Sequence, residues 1–310
     1  MWSTYDYLFS SIFWCTGTVG IVVNCYLLYL IFFHAPETVR VYRVFLANAA
    51  IADLILAIAM TFSQIRLIPN KWAFAYVALG PAHYLGSMAC YLGYCVVLHS
   101  LFYTFLSYPL SFGYRYHILV RPMPTIKRCI IICLGLWLIA FAQHILFIFS
   151  QSEPHFIRSY LKMNKPQYNL TDFVITGNHM IESPLTSVTL ATIVLPMFPI
   201  YLIVPTHLCD TGYNCTPDVS YLFDCCIPKL MRALIIQASL PLFFIFPPIL
   251  IYGLYHLEFI NFTIIEYLVY VLFSFYPATS PFVTLYFVNP FNQAVRKLLG
   301  ISRRVSDTSK

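Results

Sequence analysis

Residues 21–33 read Ile-Val-Val-Asn-Cys-Tyr-Leu-Leu-Tyr-Leu-Ile-Phe-Phe, a run with one amide and no charge. The uncharged interval around it reaches from Tyr7 to Pro36. A helix needs about 20 apolar residues to cross a bilayer core of about 30 Å, and this stretch exceeds that length. A barrel strand would alternate apolar and polar residues over a shorter segment, and the run does not alternate. Six further intervals follow, uncharged except that the first of them encloses Asp53: Val44 to Ile65, Trp72 to Tyr114, Cys129 to Ser152, Ser183 to Cys209, Ala233 to Leu257 and Tyr267 to Val295. Within lipid the backbone must satisfy its own polar groups, so each interval is read as a helix.

Composition agrees with that reading. The chain is 60% hydrophobic and 10% charged, against about 25% charged in soluble proteins. The net charge of +6 does not indicate nucleic acid, because the basic residues flank the apolar intervals and form no separate patch. With the N-terminus outside, the inner segments hold Arg40, Arg43, Arg115, Arg121, Lys127, Arg128, Lys229 and Arg232, and the tail adds Arg296, Lys297, Arg303, Arg304 and Lys310. Only Arg66, Lys71, Arg158, Lys162 and Lys165 remain outside. The positive-inside rule therefore sets the N-terminus outside and the tail in the cytosol.

The expected architecture is an all-α membrane protein, one seven-helix bundle over residues 1–310. The expected spans are about 8–33, 44–65, 84–112, 129–150, 186–208, 233–255 and 267–288, with a tail at 289–310. The third interval is broken at Gly80-Pro81, because two crossings there would put Arg115 on the side of Lys71; Trp72 and Tyr76 are then expected in the outer interface. The first span has no basic n-region and is expected to be retained. After Pro290, the residues Phe291, Ala294, Val295, Leu298 and Leu299 share a helical face beside Arg296 and Lys297, the pattern of a short eighth helix on the inner leaflet. Sequons at Asn169 and Asn261 fall in outer loops and are expected to be glycosylated.

Asp53 is the acidic residue set near mid-span, where a charge costs about 3 kcal/mol unless compensated. It is expected to face the interior, with Asn24, Asn48 and Ser280 as partners. The functional reading is a hydrated polar switch able to hold a cation; the structural alternative is a protonated carboxyl that pins helices together. The ten cysteines show neither a CxxC pair nor a zinc-binding spacing, and no metal or cofactor is expected. No paired carboxylates or histidine cluster suggests an enzyme.

The run Leu46-Ala47-Asn48-Ala49-Ala50-Ile51-Ala52-Asp53-Leu54 resembles the second-helix pattern of rhodopsin-like G-protein-coupled receptors, as Asn24 four residues after Gly20 resembles their first-helix Asn. More narrowly, His34-Ala35-Pro36-Glu37 through Tyr42-Arg43, Gln64-Ile65-Arg66 with Ile68-Pro69, Leu79-Gly80-Pro81, Ser111-Phe112 with Tyr114-Arg115-Tyr116, and Tyr286-Phe287-Val288 with Pro290 are similar to the serpentine receptor class delta (Srd) chemoreceptors of nematodes. The resemblance implies a chemosensory receptor in the plasma membrane of sensory neuron cilia that binds a small external ligand and signals to a heterotrimeric G protein. It implies that Tyr114, Arg115 and Tyr116 face that G protein. Two features depart from the family pattern: Ala82 stands where its members carry Cys, and residues 209–227 hold Asp210, Asp218 and Asp224 without a basic residue.

Proline marks the expected bends, since each removes a backbone hydrogen bond; Pro247, Pro248 and Pro281 are the expected hinges. A ligand pocket opening outward would draw on His83, Tyr84, Tyr91, Phe243 and Tyr270. The rival reading is a seven-helix transporter or channel without G-protein coupling. It would require ionisable groups along a path or inverted repeats, and Asp53 alone makes a poor path.

Overall fold

The computed structural model describes residues 3–35, 40–120, 124–168, 170, 172–195, 236–237, 239–241, 243–260 and 262–298. Six helices among them are long and apolar enough to cross a membrane. The first four long helices are α1 (Thr4–Phe33), α2 (Tyr42–Ser63), α3 (Ser87–Val120) and α4 (Ile126–Ile148). Two short helices follow, α5 (Pro154–Asn164) in the second outer loop and α6 (Pro184–Val194), the described part of the fifth span. The sixth span contains α7 (Phe246–His256), the seventh is α8 (Ile265–Phe287), and α9 (Asn289–Leu298) follows it. The rest of the fifth span, the acidic segment 209–227, both sequons' asparagines and the tail beyond residue 298 lie outside the described residues.

Local chemistry explains where the helices begin and end. α1 starts at Thr4, earlier than apolarity alone suggests, because Ser3 and Asp6 form a reciprocal cap: the Asp6 N–H donates to Ser3 Oγ at 3.2 Å and the Ser3 N–H to Asp6 Oδ2 at 2.7 Å. α2 stops at Ser63 because Gln64 turns left-handed at φ 41°. A 3₁₀ turn at Pro81–Leu85 precedes α3, which runs past the expected end at Phe112.

The bundle carries a feature absent from the helical expectation. Ile65–Asn70 (β1), Ala73–Ala78 (β2) and Ile175–His179 (β3) form an antiparallel sheet in the order β1-β2-β3 over the outer end. Ile65 pairs with Ala78 and Asn70 with Ala73, and Val77 of β2 pairs with Ile175. All residues of the three strands are buried. The sheet attaches the second outer loop to the bundle without a disulfide, and Asn178 reinforces it by donating to the Ser150 carbonyl at 2.8 Å. Tyr76 is consequently not an interface residue: it is 1% exposed, its ring 4.1 Å from that of Tyr94. Trp72, in the hairpin loop, is exposed.

Close packing of the spans relies on small residues, as in other membrane bundles. A Cβ at Gly17 would lie 1.8 Å from Thr61 Oγ1, and one at Gly20 would lie 3.2 Å from the Ala57 Cβ. α1 can therefore lie directly on α2 and α8.

Candidate functional site

α8 presents polar groups at helical spacing along one face, and each meets a different neighbour. At the outer end, Glu266 Oε2 accepts from Arg66 of β1. One turn inward, the Tyr270 hydroxyl lies 3.3 Å from Ser63 Oγ of α2. Ser274 Oγ lies 2.9 Å from Thr16 Oγ1 of α1, and the Pro277 carbonyl accepts from Asn24 Nδ2 at 2.9 Å. Ser280 and Tyr276 line one small cavity with Asp53. Near the inner end, Gln237 donates to Thr284 Oγ1 at 2.5 Å. One buried seam thus joins the outer sheet to the inner half of the bundle.

Asp53 is 3% exposed and faces this seam. A cavity of about 30 Å³ beside it is lined by Tyr108, Gln237, Tyr276, Ser280 and Thr284 among others, room for one or two water molecules and not for an organic ligand. The Tyr108 and Tyr276 hydroxyls, 2.6 Å apart, extend the polar ring to α3. Of the expected partners, Ser280 lines the same cavity as Asp53. Asn48 points elsewhere: its Oδ1 accepts from Tyr103 at 2.5 Å and its Nδ2 donates to Ser107. Asn24 supports the seam instead. Pro281 has no N–H, which frees the carbonyl of Pro277 four residues earlier, and Asn24 donates to that carbonyl.

The outer end holds a second cluster that sequence reading missed. Arg66 NH2 lies 2.7 Å from Glu266 Oε2, and Oε1 accepts from Tyr168 at 2.7 Å and from Tyr255 at 2.8 Å. Asp6 lies 3.7 Å from Arg66 and accepts from the Tyr267 hydroxyl at 2.6 Å. The guanidinium also faces the rings of Tyr168 and Tyr267. Burial opposes charge on Arg66, but the Glu266 carboxylate holds it above its ordinary value. At Lys165 burial prevails, and its ammonium lies below the usual lysine range although Glu266 partly offsets the shift. The cluster ties together α1, β1, the second outer loop, α7 and α8.

The residues expected to bind ligand are not brought together. Tyr91 is buried, its hydroxyl donating to the Phe147 carbonyl at 2.6 Å, and Tyr270 is buried in the seam. Tyr84 and Phe243 are 85% and 72% exposed and do not face the interior, and His83 packs against Tyr84 and Phe173. The aromatic interior beneath the sheet is formed by Tyr76, Tyr94, Tyr252 and Tyr270, and the Tyr252 hydroxyl is buried with no partner among the described residues. Pro247 and Pro248 occupy the first turn of α7, where a missing N–H costs nothing; just before them the backbone is distorted at Ile245, though its N–H still donates to the Pro241 carbonyl at 2.9 Å. Tyr114 is buried against Phe45 and Tyr42, while the side chains of Arg115 and Tyr116 lie outside the described residues.

The sequence profile of the family described as "Serpentine type 7TM GPCR chemoreceptor Srd" matches residues 9–297. The chain belongs to the Srd chemoreceptor family. Relatives from Caenorhabditis elegans include serpentine receptor class delta-18, 29% identical over 301 residues with 92% of this chain and 87% of the relative covered. Serpentine receptor class delta-33 is 29% identical over 313 residues, covering 96% and 90%, and serpentine receptor class delta-1 is 26% identical, covering 92% and 80%. The Srd match takes in α1 from Phe9 onward, the other described membrane-spanning helices whole, and the residues of both polar clusters except Asp6.

Proposed function

We propose that this Srd member is a chemosensory G-protein-coupled receptor. A small external ligand binds at the outer end of the bundle, beneath the sheet, and a heterotrimeric G protein is engaged at the inner end. The observation that carries this reading is the seam on α8, which connects the Arg66 and Glu266 cluster to the Asp53 ring through buried hydrogen bonds. Polar groups inside a membrane bundle are costly and mark functional paths. A ligand that displaces α8 at the sheet would also move Ser280 and Thr284.

The aromatic set Tyr94, Tyr252 and Tyr270 offers a contact surface for a largely neutral ligand, and the Tyr252 hydroxyl, unpartnered among the described residues, supplies a polar anchor. Asp53 acts as the switch, Pro247 and Pro248 beside Ile245 and Pro281 within α8 act as hinges, and Tyr114, Arg115 and Tyr116 lie on the inner side toward the G protein. The setting is the plasma membrane of sensory neuron cilia, with Asn169 and Asn261 glycosylated outside. The chain is a receptor without enzymatic activity.

The test is ligand-evoked G-protein activation in transfected cells, set against membrane current in the same cells lacking G protein. Activation that requires G protein supports the receptor. Current that persists without G protein would instead establish the channel or transporter reading.

A further inference from the structure

Lys165, just past the end of α5 in the second outer loop, lies in a cage of two tyrosine rings and a carboxylate. Its ammonium is 5.1 Å from the ring centroid of Tyr255 on α7 and 5.7 Å from that of Tyr168. The third wall is Glu266 of α8, whose Oε1 is 4.0 Å away. Ring faces attract cations through their negative quadrupole, and cages of this kind recognise organic ammonium groups. Glu266 is fully buried. Its Oε1 is fixed by the hydroxyls of the same two tyrosines, Tyr168 at 2.7 Å and Tyr255 at 2.8 Å. The walls are therefore held in place without the lysine.

Lys165 is a poor match to these walls. A primary ammonium is strongly hydrated and carries three N–H donors, yet at 4.0 Å the Glu266 oxygen is beyond hydrogen-bond reach. Burial outweighs the carboxylates and holds this ammonium below the usual lysine range. A methylated ammonium has the opposite character. Its charge sits behind methyl carbons whose contacts fall at about 3.5–4.0 Å, so its nitrogen stands naturally at such distances from rings and carboxylate, and it loses no N–H hydration on entry. Arg66 does not compete for the position, because it binds the other carboxylate oxygen, Oε2, with Nε at 2.8 Å. The Lys165 side chain is 21% exposed, so the cage is reached from outside along the lysine stem. Exposed Glu258 adds negative charge nearby, which favours the approach of a cation.

We propose that Tyr168, Tyr255 and Glu266 form a binding site for a small methylated ammonium ion, and that Lys165 is its tethered occupant, displaced into solvent when the ion binds. Exchange of one monovalent cation for another leaves Glu266 and Arg66 in the same charge balance. The second outer loop then loses its lysine contact with α8 and keeps the one through Tyr168. The site is separate from the aromatic interior beneath the sheet and does not rest on the function proposed above.

Two measurements on the detergent-solubilised full chain test this. The probe is tetramethylammonium chloride, with sodium chloride at equal concentration as the salt reference and tert-butanol as the neutral reference of similar shape. In the first, lysines of the wild type are acetylated and read peptide by peptide. Tetramethylammonium should raise modification of Lys165 severalfold and saturably, while exposed Lys162 stays constant. In the second, Lys165→Ala empties the cage. Tetramethylammonium should raise the apparent Tm of this variant with half-saturation at a roughly three- to tenfold lower concentration than for wild type, the worth of the cation–π contacts made by the competing lysine. Adding Tyr255→Leu should weaken binding by a similar factor, whereas Tyr255→Phe keeps the ring and should retain it. The acetylation readout needs no variant, so it decides the matter should Lys165→Ala fail to fold. Lys165 modification that tetramethylammonium leaves unmoved, or a Tm response that sodium chloride or tert-butanol reproduces, would overturn the proposal.

Discussion

Arg66 and Glu266 are 200 residues apart in the chain, yet the guanidinium Nε and the carboxylate Oε2 lie 2.8 Å apart in the buried outer cluster. Removing one partner of a buried pair costs about 3–5 kcal/mol, because the other charge is left uncompensated. Glu266→Gln should therefore lower the apparent Tm of the detergent-solubilised protein markedly. Adding Arg66→Met, which removes the stranded charge, should restore more than half of that loss. A double variant as unstable as the sum of its parts would show that the pair is not coupled.

Lys165 gives the same cluster a pH dependence. Its folded value lies below the ordinary 10.5, with burial the main cause. Between the folded and unfolded values the folded state binds fewer protons, so this group makes stability rise as pH rises through that window. Comparing wild type with Lys165→Met from about pH 8 to 10 isolates the contribution from the tyrosines, which titrate near 10. The expected outcome is that wild type gains on the variant as pH increases, measured as the difference in apparent Tm at each pH.

The seven spans were legible because length and missing charge suffice to define a membrane helix. The sheet was not. Ile-Arg-Leu-Ile-Pro-Asn and Ala-Phe-Ala-Tyr-Val-Ala are buried along their whole length, so neither shows the alternation that betrays a half-exposed strand. Asp53 and Ser280 could be set at one depth, where they line the same cavity, whereas Asn48 could not be assigned, since a helical position fixes depth better than the neighbour faced. Arg66 read as a topology charge, and Glu266 was not singled out. Their positions immediately outside the intervals ending at Ile65 and beginning at Tyr267 were the available signal: opposite charges at the same outer level.

Asn24 and Pro281 provide a coupled test. Asn24 Nδ2 donates to Pro277 and Gly20 carbonyls, and Pro281 is the reason the first of these needs a donor. Asn24→Ala should cost about 1 kcal/mol or more. In a Pro281→Ala background the restored N–H can serve the Pro277 carbonyl, so the same Asn24 substitution should cost less. Equal costs in both backgrounds, read from thermal melts, would break the link.

Gly17 tests helix approach. A Cβ there meets Thr61 Oγ1 at 1.8 Å and Thr61 Cβ at 3.0 Å, so Gly17→Ala forces α1 and α2 apart. Overpacking of this kind costs about 1–3 kcal/mol. Thr61→Ala removes the oxygen but keeps the Cβ, and should rescue Gly17→Ala only in part. Surface expression and the apparent Tm of the pair against each single variant measure this.

Asp53 distinguishes a switch from a pin. Its carboxyl shares with Ser280 and Tyr276 a cavity with room for water, and the Tyr276 hydroxyl bonds to that of Tyr108 of α3. Asp53→Asn keeps the size and an acceptor oxygen but removes the capacity for charge, so the packing of α2 on α8 should survive. Surface expression should stay largely intact while G-protein activation, basal or ligand-evoked, changes severalfold. Asp53→Leu, which fills the space without polar atoms, leaves Ser280 and Tyr276 short of a partner and should lower both readouts. If Asp53→Asn loses surface expression and the correctly folded remainder signals like wild type, Asp53 holds helices together and the switch lies elsewhere along the seam.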